Sequence, residues 1–325
     1  MIKIFIENQV AKRTSLGRLF RFSNEVLTLT KFHLGFNTFR TLNLQFTNSC
    51  NLNCKWCGLK KGEDIMSEET LIKTLEKIKK YHIKNLNLWN GGEILMHPDI
   101  INLLKIIKKY KNFKVNLLTN AMLLTPNLSK KIIELGVVDE MMFSMDGGSG
   151  KECERLRSGV KWNILKRNIK YFLDLNKNIK TSIISVIPLE KPLNISWMDK
   201  EFKDILNSVD HYRLVYPEQH LGGLKPSYSK DFEFLKFNKK ICIQLLKQAV
   251  VNQNGKILPC CYDISSDCVI GDIEEGFIFN SEKRKKMVKT LLKGERNKIP
   301  LCKNCYGFSM KNIRIKNPEK RKKVY

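Results

Sequence analysis

Between Thr41 and Val215 short apolar runs alternate with longer segments of helical spacing, and this alternation constrains the fold more than any other feature. Strand-like runs occupy 41–47, 84–89, 114–118, 139–144, 180–187 and 209–215, with helical spacing near 67–80, 98–110, 126–135, 161–175 and 196–206. Several helices carry start signals: Ser67 ahead of Glu68 and Glu69, Pro98 followed by Asp99, and Thr125 before Pro126. Strands alternating with helices predict an α/β fold, with a parallel sheet joined by right-handed crossovers. Ligands in such sheets bind beyond the carboxyl ends of the strands.

The first of those ends carries the stretch Asn48 to Gly58, N-S-C-N-L-N-C-K-W-C-G. Cys50, Cys54 and Cys57 are spaced C-x3-C-x2-C on one short loop. Structural zinc closes with four protein ligands, and a [4Fe–4S] cluster normally takes four cysteines. Three thiolates suit a metal or cluster that keeps one position open for a non-protein ligand. The alternatives are three buried apolar cysteines, or a zinc site completed from elsewhere in the chain.

A chain of 325 residues with 42% apolar content has room for one large domain and a smaller one. No run of 18 apolar residues is present, which argues against a membrane-spanning helix. The opening M-I-K-I-F-I-E lacks the order of a signal peptide, so a cytoplasmic location is expected. Ten cysteines in that compartment point to metal or redox chemistry before disulfides. The formal charge is +26, and residues 283–325 hold 16 Lys and Arg against 2 acidic residues. The whole chain is rich in Lys, Asn and Ile, so much of this charge reads as solvated background. No RNA-binding module or aromatic-basic alternation is visible, and nucleic acid is not an expected partner.

The pattern divides the chain into a basic amphipathic helical leader (1–40), a core (41–216), a linker (217–239), a cysteine-rich region (240–308) and a basic tail (309–325). In the leader, Leu19, Phe20, Phe22, Val26 and Leu27 follow helical spacing. It would pack on the body or rest on a membrane surface, and packing is favoured because Leu27, Leu29, Phe32 and Leu34 need cover. Pro217, Gly222, Gly223 and Pro226 mark the linker. Val250-Val251, Asn254-Gly255 and Ile257-Leu258 form a hairpin pattern.

Cys50, Cys54 and Cys57 after the first strand, Gly91-Gly92-Glu93 after the second, and Phe143-Ser144-Met145-Asp146-Gly147 after the fourth resemble radical S-adenosylmethionine (SAM) enzymes. The resemblance implies a partial (β/α)6 TIM-like barrel and a [4Fe–4S] cluster whose free iron binds the amino and carboxylate groups of SAM. It implies reductive cleavage of SAM to a 5′-deoxyadenosyl radical that abstracts a substrate hydrogen atom. Trp56 would cover the cluster or the adenine side, or simply pack. Gly91 and Gly92 would let the backbone approach SAM, and Glu93 would accept from its ammonium. Ile94 stands where the family usually has proline, and Ala121 follows Thr119-Asn120 where it commonly has glycine. By the same resemblance Asn120 and Ser144 lie near SAM, Ser144 as a ribose contact. Arg157 would sit near the SAM carboxylate or ribose, or be a solvated arginine. Asp146 with Gly147-Gly148 reads as a turn.

Cys242, Gly255, Pro259-Cys260-Cys261 and Cys302-Lys303-Asn304-Cys305 resemble the SPASM or shorter twitch domains that follow such cores. No C-x5-C-x3-C continuation follows Cys305, so one auxiliary [4Fe–4S] cluster is expected, on Cys242, Cys260, Cys302 and Cys305. Structural zinc is the alternative for this set. Cys261 would replace Cys260 as a ligand or donate a hydrogen atom to a substrate radical, as in an epimerase. Cys153 and Cys268 read as small buried residues.

The expected reaction is oxidation or epimerisation of a small polar, carbohydrate-like substrate, with a peptide or protein maturase as the alternative. A zinc-binding, nucleic-acid-binding protein is the non-catalytic reading. An RNA methyltransferase is disfavoured, because the later cysteines look like ligands rather than methyl carriers. The expected reductant is ferredoxin or flavodoxin, steered by the basic surface.

Overall fold

The computed structural model describes residues 15–188, 190–216, 241–303, 305 and 313–316. The 217–239 linker, the leader before Ser15, most of the 309–325 tail and the side chains of Leu19, Phe20 and Phe22 lie outside the described set.

Helix α1 spans Ser15–His33 and leads into β1 (Thr41–Leu44). The strands then follow as β2 (Asn53–Cys54), β3 (Asn85–Leu88), β4 (Lys114–Thr119), β5 (Glu140–Ser144), β6 (Arg157–Ser158), β7 (Lys180–Val186) and β8 (His211–Val215). Between them lie α2 (Glu68–Ile78), α3 (Ile100–Tyr110), α4 (Pro126–Leu135), α5 (Gly150–Leu156), α6 (Trp162–Leu175) and α7 (Lys200–Ser208). Local chemistry sets their ends. The Ser67 hydroxyl accepts from Thr70 N and opens α2 with Glu68 and Glu69 in its first turn. Thr125 caps α4, Pro126 fills its first turn, and Gly136 closes it at φ 63°. The short α5, which the sequence pattern did not show, is capped by Ser149 accepting from Glu152 N.

The order β1-β3-β4-β5-β7-β8 advances in one direction with every pair parallel. Right-handed crossovers therefore place α2, α3, α4, α6 and α7 on the same face. The strand residues facing them are apolar and buried: Leu42 and Leu44, Leu86 and Leu88, Val115 and Leu117, Met141 and Phe143. The Phe143 ring meets Phe172 of α6 edge-on at 5.7 Å. By pleat alternation the opposite face carries Asn43, Gln45, Asn87, Asn116 and Glu140. That face is polar.

The cysteine-rich region joins the same sheet. It comprises α8 (Ile243–Lys247), β9 (Gln248–Val251), β10 (Lys256–Leu258), β11 (Gly271–Asp272), α9 (Glu282–Leu292) and α10 (Pro300–Lys303). Strand β9 pairs parallel with β1, from Thr41↔Gln248 to Leu44↔Val251, and the expected β9–β10 hairpin returns antiparallel. At the far edge β12 (Ile313–Lys316), inside the stretch read as a basic tail, pairs antiparallel with β8. The leader packs on the body through a narrow stripe. Phe32 is buried and meets Phe279 at 6.4 Å, whereas Leu27 and Leu34, expected to need cover, are 51% and 67% exposed. One helical face suffices for the contact, so residues off that face stay in solvent.

Candidate active site

The cysteine loop leaves the carboxyl end of β1, and each later strand end pins it. From the β3 end, Glu93 N donates to Ser49 O at 2.8 Å and Gly92 N to Thr47 O at 2.9 Å. A Cβ on Gly92 would stand 1.9 Å from Ser49 O, and one on Gly91 (φ 116°) 2.2 Å from Gln45 Nε2. Gly92 is thus required by the backbone of the cysteine loop, and Gly91 by its positive φ beside the Gln45 side chain. From the β4 end, Asn120 Nδ2 donates to Asn51 Oδ1 at 2.8 Å. From beyond β5, β6 pairs with β2 so that Arg157 lies opposite Cys54, and Lys55 N donates to Leu156 O at 2.9 Å.

Glu93 is buried and accepts three hydrogen bonds: from Thr119 Oγ1 at 2.5 Å, Asn120 N at 2.7 Å and Leu95 N at 3.2 Å. Burial pushes its carboxyl pKa up, while these bonds and Arg157 pull the other way. Ala121 takes the left-handed conformation at φ 59°, which explains the glycine common at this position in the family. Asn168 Nδ2 holds the turn through Ala121 O at 2.8 Å and Met122 O at 3.2 Å.

Arg157 is not solvated. Its Nη1 donates to Asp146 Oδ2 at 3.0 Å, with side-chain exposures of 11% and 2%. Asp146 Oδ1 also accepts from Val186 N at 3.0 Å, so this residue is an anchor as well as a turn. Burial lowers the Arg157 pKa, but Asp146 and the nearby Cys54 and Cys153 thiols outweigh it and hold the group above its ordinary value. Sequence reasoning missed the Asp146 pairing, because the two residues flank a short helix that the pattern did not show. Trp56 is half-buried between Cys54 and Cys57, and Ser144 is half-buried at the end of β5.

Cys50, Cys54 and Cys57 lie near one another: Cys57 raises the pKa of both Cys50 and Cys54, and Cys50 raises that of Cys54. For both, burial is the larger cause, and it pushes Cys54 to about 11. A metal or cluster bound here would take these side chains as thiolates and release their protons. The later set converges too. Cys260 is raised by burial and by Cys261, Cys242 and Cys302, and Cys302 is pushed to about 12 by burial, Cys242 and Cys305. Among the described residues no three His, Cys, Asp or Glu side chains close around one point as a single ion demands. A four-iron cube, with each thiolate on its own iron, needs a wider mouth. Both donor sets fit such a group: three thiols on an open loop, and four thiols drawn from three segments. Cys153 is fully buried, as expected, whereas Cys268 is half-buried beside Asp263, whose carboxylate accepts from Cys268 N at 2.8 Å.

On the face away from the helices, side-chain amides form a row. Asn116 Nδ2 donates to Asn87 Oδ1 at 2.8 Å, and Asn87 Nδ2 to Asn43 Oδ1 at 2.9 Å. Asn43 Nδ2 continues to Gln248 Oε1 at 3.4 Å, and Gln248 Nε2 ends the row at Cys261 Sγ, 3.3 Å away. Behind Cys260 lies the buried Arg284, whose pKa burial draws down to about 10 against the pull of Cys260 and Cys242.

Two family models match: the Radical SAM superfamily over residues 44–194 and SPASM, an iron–sulfur cluster-binding domain, over 242–306. No curated protein matches the chain by sequence. Among solved structures, Streptococcus suis SuiB bound to precursor peptide SuiA is 16% identical with TM-score 0.64, covering 90% of this chain and 75% of that one. BtrN in complex with AdoMet and 2-DOIA is 18% identical with TM-score 0.55, covering 83% and 94%. Native anSMEcpe with bound AdoMet and Cp18Cys peptide is 18% identical with TM-score 0.53, covering 82% and 88%. These likenesses concern the fold. The radical SAM match implies a [4Fe–4S] cluster and SAM, and the SPASM match implies auxiliary iron–sulfur ligation. From its cysteine loop to its final cysteine pair, the chain carries a radical SAM domain followed by a C-terminal SPASM domain.

Proposed function

We propose that this enzyme abstracts a hydrogen atom from a small, polar, carbohydrate-like substrate and completes its oxidation or epimerisation. The observation that carries the reading is the amide row from Asn116 to Cys261 on the face away from the helices. A row of amide donors and acceptors suits hydroxyl-rich molecules better than apolar side chains.

Cys50, Cys54 and Cys57 would hold the cluster, which with SAM would supply the one-electron chemistry for hydrogen abstraction. The chain's residues do the rest. Glu93, Asn120 and the Arg157–Asp146 pair hold the loop in one geometry and keep charge and hydrogen-bonding groups at the strand ends. In this reading Glu93 accepts from the SAM ammonium with the one lone pair left over from its three bonds. Gly91, Gly92, Asn120 and Ser144 flank the nucleoside, Trp56 covers it, and Arg157 faces the carboxylate or ribose. Cys261, held by Gln248, would return a hydrogen atom if the outcome is epimerisation, leaving a thiyl radical that one electron from the proposed reductant and one proton restore to the thiol. Cys242, Cys260, Cys302 and Cys305 would hold an auxiliary cluster able to take up the substrate radical's electron if the outcome is oxidation.

A peptide or protein substrate is the second reading, favoured by the likeness to SuiB over 90% of the chain and by the basic charge of residues 283–325. Incubating reduced enzyme and SAM with each class separates the two, through substrate-dependent 5′-deoxyadenosine. Turnover with a peptide alone sinks the carbohydrate reading. A Cys261→Ala variant that retains product with unchanged stereochemistry sinks the hydrogen-donor role. Stoichiometric zinc without iron at either set would return the zinc reading.

The reductant in this proposal is an acidic ferredoxin or flavodoxin, and the +26 charge supports it. No described helix is long and apolar enough to cross a membrane. None of the ten cysteines forms a disulfide, which supports a reducing, cytoplasmic setting.

A further inference from the structure

We propose that Arg284 is the buried counter-charge of the auxiliary iron–sulfur site, raising that cluster's reduction potential and clamping two of its ligand segments. The inference rests on the auxiliary-cluster reading of Cys242, Cys260, Cys302 and Cys305.

Arg284 is 1% exposed and is the largest fully buried side chain among the described residues. It lies in the first turn of α9, where Ser281 Oγ accepts from its backbone N. Its Nη1 donates to Leu245 O at 2.7 Å, Gln248 O at 3.0 Å and Pro259 O at 3.2 Å. Leu245 belongs to α8, which starts directly after Cys242, and Gln248 follows that helix. Pro259 directly precedes Cys260. One guanidinium therefore ties together the segments that present two ligands. Its carbon also sits 4.4 Å from the Phe279 ring centroid.

These partners satisfy donors without cancelling the charge. No carboxylate among the described residues pairs with Arg284, and its Nε is buried with no hydrogen-bond partner. A buried unpaired cation is a large desolvation cost, normally met by an anion. The contrast with the other buried arginine is direct: Arg157 beside Cys54 already has Asp146. The missing anion of Arg284 would be supplied by the thiolates of Cys260 and Cys242 and the cluster they would hold, whose net negative charge would grow by one on reduction. A fixed positive charge favours the more negative state, so it raises the potential. Arg284 acts through the cluster and its ligand segments, as a positioning residue.

The test uses the full chain, anaerobically reconstituted, as wild type, Arg284→Lys and Arg284→Gln. Iron and sulfide are counted, and each cluster is titrated by electron paramagnetic resonance. Auxiliary iron in the wild type is the prerequisite; its absence defeats the auxiliary-cluster reading and this inference with it. With that iron present, Arg284→Gln is expected to shift the auxiliary oxidised-to-reduced ratio about tenfold toward oxidised, about 59 mV lower for one electron. Arg284→Lys keeps the potential near wild type while lowering thermal stability, and the cluster on Cys50, Cys54 and Cys57 is unmoved in both. Selective auxiliary-cluster loss in Arg284→Gln but not in Arg284→Lys supports the same role. An unchanged potential in a fully loaded Arg284→Gln protein overturns the inference and leaves the auxiliary-cluster reading intact. Equal shifts or equal cluster loss in both variants also overturn it, since a purely mechanical clamp would behave that way.

Discussion

Asp146 shows how much a single carboxylate can hold at this site. It pairs with Arg157 and accepts from Val186 N, and both side chains are almost wholly buried. Asp146→Ala leaves a guanidinium buried without its anion, an expected loss of about 3–5 kcal/mol. Denaturant midpoints read this directly. Asp146→Asn keeps an acceptor for Val186 N and should lose less. Gly92→Ala makes a harsher demand, because its methyl would stand 1.9 Å from Ser49 O. Its expected outcome is a displaced cysteine loop, measured as loss of iron from the first site with the auxiliary iron retained. Glycine and aspartate are readable as letters, but their reasons were not. Gly91-Gly92 suggested room for a ligand, and the nearest obstruction is the protein's own loop. Asp146 suggested a turn because its partner lies across a helix, where local patterns carry no information.

Among the elements, the strands and helices of the core follow the sequence periodicity within a few residues, because each buries one apolar face against the next. The β9–β10 hairpin was legible from Asn254-Gly255. Its docking on β1 was not, since pairing partners far apart in sequence leave no local trace. One signal did exist: a sheet that advances only away from β1 leaves that strand's other edge bare, and bare edges are normally covered. The two cysteine sets, on separate elements, should separate in function. Cys54→Ala is expected to abolish SAM cleavage and the iron signal of the first site. Cys302→Ala is expected to retain SAM cleavage uncoupled from product, measured as 5′-deoxyadenosine formed without substrate turnover.

For the whole molecule, the C-terminal region completes the fold as well as adding ligands. Ending the chain before Ile241 removes β9 along with the bonds Arg40 N to Lys247 O and Gln45 N to Val251 O. The expected product aggregates through β1, as sizing of the truncated chain against the full chain would reveal. The net charge of +26 predicts that association with an acidic reductant slows as salt is added. A stopped-flow rate that ignores ionic strength would remove that partner from consideration. The register Thr41↔Gln248 to Leu44↔Val251 has one more effect. Strand β1 ends at the first cysteine loop, and β9 and β10 lead from Cys242 to Cys260, so backbone hydrogen bonds fix the span between the two sulfur sites. Electron tunnelling falls steeply with distance, and a span set by a ladder leaves no hinge with which to modulate it. On the proposed reading of the two cysteine sets, gating of electron exchange would then fall to the substrate's arrival rather than to a hinge between β1 and β9.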